Sequence, residues 1–309
     1  FSYLNAILTG LLTAAGNSRT PFIVNVAGLV FNVVLDPVLI FGIGPFPELG
    51  VSGAAAATVT AQALVSLLFF KAVLREKVLF PHLRLWVLVP VKVWREIVRI
   101  GVPSAVQNLI YAGISMILTR LITGWGDLAV AAQRVGSQIE SVSWMVGDGF
   151  SAAVNAFLGQ NYGAKRYDRV RRGYFCAIAM TAAWGLCTTF LLIGMARPLF
   201  SIFLQEEEVM AIGVNYLRIV GLSQMFMMVE QTSIGAFSGL GRTLYPSIIS
   251  VTFTSARIPV AVLLSSVMGL SGIWWALSIS SMVKGCILFV SFVVFLYVFL
   301  ERKKDEKTV

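Results

Sequence analysis

The sequence predicts an all-α fold, a polytopic membrane bundle, from three observations: an excess of apolar residues, apolar runs of membrane length, and basic residues confined to alternate connections. Of 309 residues, 57% are hydrophobic and 13% charged, and the mean hydropathy is +0.82. One soluble core cannot bury that much apolar surface, so the chain is built for lipid. A hydrocarbon layer of roughly 30 Å takes about 20 apolar residues per helical crossing. Nine runs approach that length, at 1–16 (short and partial), 21–43, 53–74, 101–123, 128–159, 173–196, 209–239, 245–268 and 272–300. Membrane strands would instead alternate over segments of roughly ten residues.

The net charge of +9 raises nucleic acid as a partner, and the placement of the bases argues against it. Arg19 follows the first run. Arg75, Lys77, Arg84, Lys92, Arg95 and Arg99 fill the gap after the third, and Lys165, Arg166, Arg169, Arg171 and Arg172 follow the fifth. Arg242 follows the seventh, and Arg302, Lys303, Lys304 and Lys307 the last. The connections around Pro45, Asp127 and Gly269 carry no base, and the one near Glu206 has only Arg197. The positive-inside bias therefore makes alternate loops cytoplasmic, the C-terminus among them, as in a multi-pass inner-membrane protein. Phe1 then starts on the outer side, too near Arg19 for a full crossing, so the chain is expected to begin part-way along a helix of a longer protein. Cys176, Cys187 and Cys286 lie inside runs at no metal-ligand spacing and read as apolar filler.

An internal repeat organises the runs. Gly16 and Pro21 bracket Arg19, as Gly241 and Pro246 bracket Arg242; Gly50-Val51-Ser52-Gly53 opens the third run as Gly269-Leu270-Ser271-Gly272 opens the ninth. The first three runs thus match the last three, which predicts twelve crossings in two pseudo-symmetric six-helix lobes. The expected divisions are 1–74, the remainder of an N-terminal lobe; 75–99, a cytoplasmic bridge; 100–300, a complete C-terminal lobe; and 301–309, a cytoplasmic tail. In the bridge, Val93, Trp94, Ile97 and Val98 alternate with Lys92, Arg95, Glu96 and Arg99, the pattern of a short interfacial helix.

The chain resembles the multidrug and toxic compound extrusion (MATE) family over nearly its whole length. The likeness rests on Ala15 to Pro21 with Asn25, Asn32 to Asp36 followed by Gly50 to Thr58, Gly136-Ser137-Gln138-Ile139-Glu140, Leu158 to Ala164, and Gly239-Leu240-Gly241-Arg242-Thr243. The resemblance implies a central cavity and export of amphiphilic, mostly cationic compounds against entry of Na+ or H+. It also implies that the family's first three helices, with an acidic residue on the first, are absent from this chain.

Ionisable side chains at membrane depth cost several kcal/mol unless paired or facing water, so each is a functional candidate. Asp36 lies one helical turn after Asn32, roughly 12 Å in from the outer end, with Thr58 on the next helix roughly 8 Å in. A carboxylate, an amide carbonyl and a hydroxyl supply the hard oxygens a small cation prefers, and a lone carboxylate can take a proton instead. Pro37 frees the carbonyl of Val33 as a further ligand or bending point. In the resemblance these positions match the Na+ or H+ site of the N-terminal lobe; the competing reading is a polar packing cluster.

Glu140, Glu230, Arg257 and Lys284 fall at one depth, roughly 16–18 Å in, on four helices, and imply a shared polar centre or substrate cavity. Two readings stay open: static ion pairs of Glu140 and Glu230 with Arg257 and Lys284, or a substrate or proton role. The family's coupling acid on the first helix of this lobe is replaced by Gln107, which cannot titrate. Arg120, Arg134 and Arg218 are expected to snorkel. Met225, Phe226, Met227 and Met228 read as lipid-facing filler, and Gly235 with Gly239 as a close helix contact. Gly159 to Ala164 ends a helix, with Gln160 and Asn161 capping it.

No phosphate-cradling loop of the Gly-x4-Gly-Lys-[Ser/Thr] type occurs, and the single His82 forms no triad, so an ATP-driven pump and a membrane enzyme are not supported. A channel or a non-transporting scaffold fits the duplicated lobes less well. The alternative function is a flippase for a lipid-linked saccharide or another amphiphile of the same superfamily, which Arg257 and Lys284 keep open. Cofactors beyond the coupling ion are not expected, nor is nucleic acid; the expected partners are small amphiphiles and membrane lipid, and the expected state is a monomer.

Overall fold

The structure, a computed structural model, describes residues 1–75 and 90–300. Lys77, His82 and Arg84 of the bridge, and the tail with Arg302, Lys303, Lys304 and Lys307, lie outside the described residues. The chain forms two compact units that divide between Val89 and Pro90, inside the expected bridge. Every regular element among the described residues is helical.

The first unit holds α1 (Ser2–Ala14), α2 (Arg19–Phe41) and α3 (Gly50–Arg75). Leu12, Val24, Val65 and Phe69 form its core. A buried polar staple locks α1 to α3: Asn5 Nδ2 donates to the Gln62 carbonyl and side chain at 3.0 and 2.9 Å, and Ser66 Oγ donates to Asn5 Oδ1 at 2.8 Å. Each Asn5 group is thereby satisfied, as burial demands.

The second unit holds α4 (Val91–Thr123), α5 (Asp127–Gly163), α6 (Tyr167–Gly194), α7 (Ala196–Ser201), α8 (Glu207–Gly221), α9 (Gln224–Gly239), α10 (Leu244–Ser255), α11 (Arg257–Met268) and α12 (Leu270–Phe295), closed by a π-helical turn at Leu296–Leu300. Taking α8 with α9 as one bent span and α10 with α11 as one span, the described helices apart from the short α7 follow the nine apolar runs in order. The expected interfacial helix is not separate: residues 92–99 are the first turns of α4, which continues through Pro103. One proline removes a single intrahelical hydrogen bond, too little here to divide the helix. Val93, Trp94, Ile97 and Val98 are all exposed, as an interfacial face requires.

The repeat seen in the sequence has a backbone counterpart within each unit. Gly16 and Gly241 follow a helix at φ 90° and 68°, and the next residue's N–H reaches back to Leu12 and Phe237 respectively, at 2.9 Å in both cases. That closure requires a left-handed residue, which glycine adopts without penalty. Gly53 and Gly272 each press against the backbone of the preceding helix, at Leu39 and Leu264, where a Cβ has no room.

In the second unit α9 is central, packed on α5, α6 and α12. Gly235 and Gly239 meet the α5 backbone at Ser151 and Asn155, the close contact expected of that pair. The Met cluster corrects its expectation: Met228 is 0% and Met227 6% exposed, because this stretch starts the central helix rather than an outer one. Arg120, Arg134 and Arg218 are exposed, as are the three cysteines. Asn161 Nδ2 donates to the Phe157 carbonyl at 2.8 Å at the end of α5.

A bend of 50° separates α8 from α9. The carbonyls it frees are taken by hydroxyls: Ser278 Oγ donates to Ile219, Ser223 Oγ to Val220 and Thr189 Oγ1 to Gly221, at 2.9, 2.8 and 2.9 Å. In a medium without water a broken helix needs such partners.

Candidate functional site

In the first unit Asn32 Nδ2 donates to Asp36 Oδ1 at 3.4 Å, a long bond between residues one turn apart. Both side chains are half-buried. Thr58 is exposed, and its hydroxyl proton goes to the Ala54 carbonyl at 3.0 Å. The expected trio is therefore not closed: Asn32 and Asp36 are joined, and Thr58 hydrogen-bonds within its own helix, the local alternative open to any helical threonine.

The second unit contains a cavity of two chambers, about 430 and 330 Å³. Tyr111, Trp144, Asp148, Met227, Arg257 and Ser281 line both. Glu140 faces the larger chamber, with Met145 and Tyr216; Gln107, Glu230 and Lys284 face the smaller. All five sequence-predicted residues of this lobe thus reach the cavity, and one of the two expected ion pairs forms. Lys284 Nζ binds Glu230 Oε1 at 2.7 Å, with side chains 6% and 9% exposed. The second ion pair does not form. Arg257 donates instead to Ser280 and Ser281 hydroxyls, at 2.6 and 2.9 Å.

Glu140 is surrounded by neutral donors: Gln224 Nε2 and Trp144 Nε1 donate to Oε1 at 3.0 and 3.2 Å, and Tyr216 OH donates to Oε2 at 3.0 Å. The local sequence explains the placement. A Cβ at Gly136, one turn before Glu140, would collide with the Tyr216 ring; its absence lets that ring lie on α5 with the hydroxyl toward the carboxylate. Trp274 also packs on the ring, edge-on at 5.3 Å, with its own Nε1 held by Gln133 Oε1 at 3.0 Å. Trp144 lies one turn after Glu140 and leans on Tyr111, ring centres 5.8 Å apart.

The sequence reading missed Tyr111, Trp144, Asp148, Tyr216 and Gln224. Two of them carried a local signal: Trp144 by its four-residue spacing from Glu140, and Asp148 as an ionisable residue inside the 128–159 run. Gln224 and Tyr216 come from other helices and are brought in by the α8–α9 bend.

The family model MatE matches residues 103–263. The chain is 32% identical over 283 residues to the probable multidrug resistance protein NorM of Thermotoga maritima, covering 87% of this chain and 58% of that protein. It is 27% identical over 280 residues to the probable multidrug resistance protein YoeA of Bacillus subtilis, covering 89% and 60%. A crystal structure of a MATE in the straight conformation superposes with a TM-score of 0.88 at 20% identity, over 96% of this chain and 67% of that one. The chain therefore spans about three fifths of the length of the curated relatives it matches.

Proposed function

Given that this chain belongs to the MatE family and is a multi-pass membrane protein, we propose that it is the larger part of a secondary transporter exporting amphiphilic, mostly cationic compounds against entry of Na+ or H+. The basic loops favour an inner-membrane orientation with the C-terminus cytoplasmic. The observation that carries the reading is Glu140, a carboxylate without an ion-pair partner among the described residues, set in a cavity walled by Tyr111, Trp144, Tyr216 and methionines. Aromatic faces and an acid without an ion-pair partner suit a flat organic cation, and flexible methionines tolerate varied shapes.

A flippase for a pyrophosphate-linked saccharide fits less well. Lys284 is neutralised by Glu230, which leaves Arg257 as the cavity's unpaired base against Glu140 and Asp148. Asp36 with Asn32 is the proposed coupling-cation site, its carboxylate serving Na+ or H+. Export by the full-length protein in proteoliposomes, with Na+ and pH gradients imposed separately, tests the proposal. Gradient-driven movement of a lipophilic cation is the expected outcome; indifference to both gradients would refute it.

A further inference from the structure

Arg257 carries a charge that the capture of cations does not use. An arginine inside a membrane span is costly unless something compensates it. Its side chain is buried, and no carboxylate pairs with it among the described residues. The groups it binds, the Ser280 and Ser281 hydroxyls, are neutral and occupy Nε and Nη2, while Nη1 donates to no described residue.

The walls of the smaller chamber extend this pattern with uncharged groups. Ser250, Thr254 and Arg257 follow at i, i+4 and i+7, which puts them on one face of the α10–α11 span, and all three line the chamber. Ser250 is 2% exposed, and its Oγ has no hydrogen-bond partner among the described residues. On α4, which packs on α10, Ser104, Gln107 and Asn108 line the same chamber. Their side chains make no hydrogen bond to a described residue. Thr243 Oγ1 donates to the Ile100 carbonyl at 2.8 Å and ties the start of α10 to α4.

Polar groups buried at membrane depth need partners, and here the free set is rich in donors. It comprises an Arg257 N–H, the hydroxyl of Ser250, the NH2 groups of Gln107 and Asn108, and the Lys284 N–H groups beyond the one given to Glu230. We propose that the smaller chamber is an oxyanion site, in which Arg257 and Ser250 hold a singly charged carboxylate-type group and the α4 amides complete its shell.

Charge limits the ligand to one negative unit. Glu230 and Lys284 cancel each other. Asp148 is exposed, lines both chambers and takes Gln231 Nε2 at 3.2 Å. Arg257 remains, and its single charge is matched by a carboxylate and exceeded by a pyrophosphate. A planar guanidinium also suits a planar group of two oxygens better than a spherical halide. Tyr111 and Trp144, ring centres 5.8 Å apart, line the same chamber and offer a flat seat for a ring attached to the acid.

Two sources supply such a group: a small free carboxylate that stays as the counter-ion of Arg257, or the acid of an aromatic amphiphile carried as cargo. The second source rests on the exporter reading; the site itself does not.

Equilibrium dialysis of the purified protein in lipid nanodiscs, with empty nanodiscs subtracted, tests the site without transport. The probes are labelled 2-naphthoate, acetate and the uncharged 2-naphthylmethanol. Saturable binding of naphthoate is expected, weakened by more than about thirtyfold in Arg257→Gln. Ser250→Ala deletes a hydroxyl that has no partner, so it should leave the thermal midpoint at the parental value and still weaken naphthoate roughly tenfold. Acetate bound with the same dependence on Arg257 and Ser250 identifies the free counter-ion; naphthoate bound without acetate identifies the amphiphile's acid. Naphthoate binding untouched by both substitutions, or equalled by the uncharged alcohol, overturns the proposal. So does the lack of saturable binding by either acid, which would make this a chamber for water only. Failure of gradient-driven export by a protein that still binds naphthoate through Arg257 would refute the exporter reading alone.

Discussion

Lys284 Nζ lies 2.7 Å from Glu230 Oε1 inside the second unit, and neither side chain is more than 9% exposed. This pair joins α12 to α9, the central helix, and lines the smaller chamber. Removing one member leaves a buried charge without its partner, at a cost of about 3–5 kcal/mol, whereas replacing both by apolar residues of similar size is often neutral. Lys284→Met and Glu230→Gln should each lower the thermal midpoint of the purified protein strongly. The Lys284→Met, Glu230→Leu double variant should recover most of the loss. Additive losses would mean that the two side chains act separately.

Asp36→Asn should abolish gradient-driven export while leaving membrane insertion and yield unchanged. An amide preserves the shape and the bond from Asn32, drawn at 3.4 Å, and removes only the charge. Export at the parental rate would remove Asp36 from the coupling step.

The bend between α8 and α9 depends on hydroxyls from neighbouring helices. Ser278→Ala withdraws the donor from the Ile219 carbonyl, and Thr189→Val the one from Gly221. Each leaves a buried carbonyl unpaired, at about 1–3 kcal/mol. Both variants should unfold at lower temperature and exchange backbone amides faster in residues 216–228. A loss confined to other helices would show that the bend is held by packing instead.

The sequence carried the spans because apolar run length is a local property, and it carried the repeat because Gly16 and Gly241, or Gly53 and Gly272, are demanded by local backbone closure and close approach. It carried the common level of Glu140, Glu230, Arg257 and Lys284, which all reach one cavity, for the same reason: level follows from counting along one helix. It could not carry their partners. Which base meets which acid depends on helix rotation and crossing, and these are decided by contacts such as Gly235 on Ser151 and Gly239 on Asn155. Thr58 failed to close on Asp36 for a related reason, since its own helix offered a nearer acceptor. The Met225–Met228 stretch was misplaced because an all-apolar stretch does not distinguish a helix facing lipid from one at the centre of a bundle.

Gly136 provides the most specific test of how the larger chamber is built. Its missing side chain is what allows the Tyr216 ring to lie on α5, and that ring delivers a hydroxyl to Glu140 Oε2 at 3.0 Å. Gly136→Ala introduces a methyl group into the ring face, an overpacking typically worth about 1–3 kcal/mol. The ring touches both α5 at Gly136 and, edge-on, Trp274, so the crowding is expected to swing the hydroxyl away from the carboxylate. Tyr216→Phe removes the same hydroxyl without the crowding. If Tyr216 serves Glu140, both variants should weaken binding of tetraphenylphosphonium, measured by titration calorimetry, by a similar factor, and only Gly136→Ala should lower thermal stability markedly. Unaltered binding in Tyr216→Phe would mean that Gln224 and Trp144 alone hold the carboxylate in its working position.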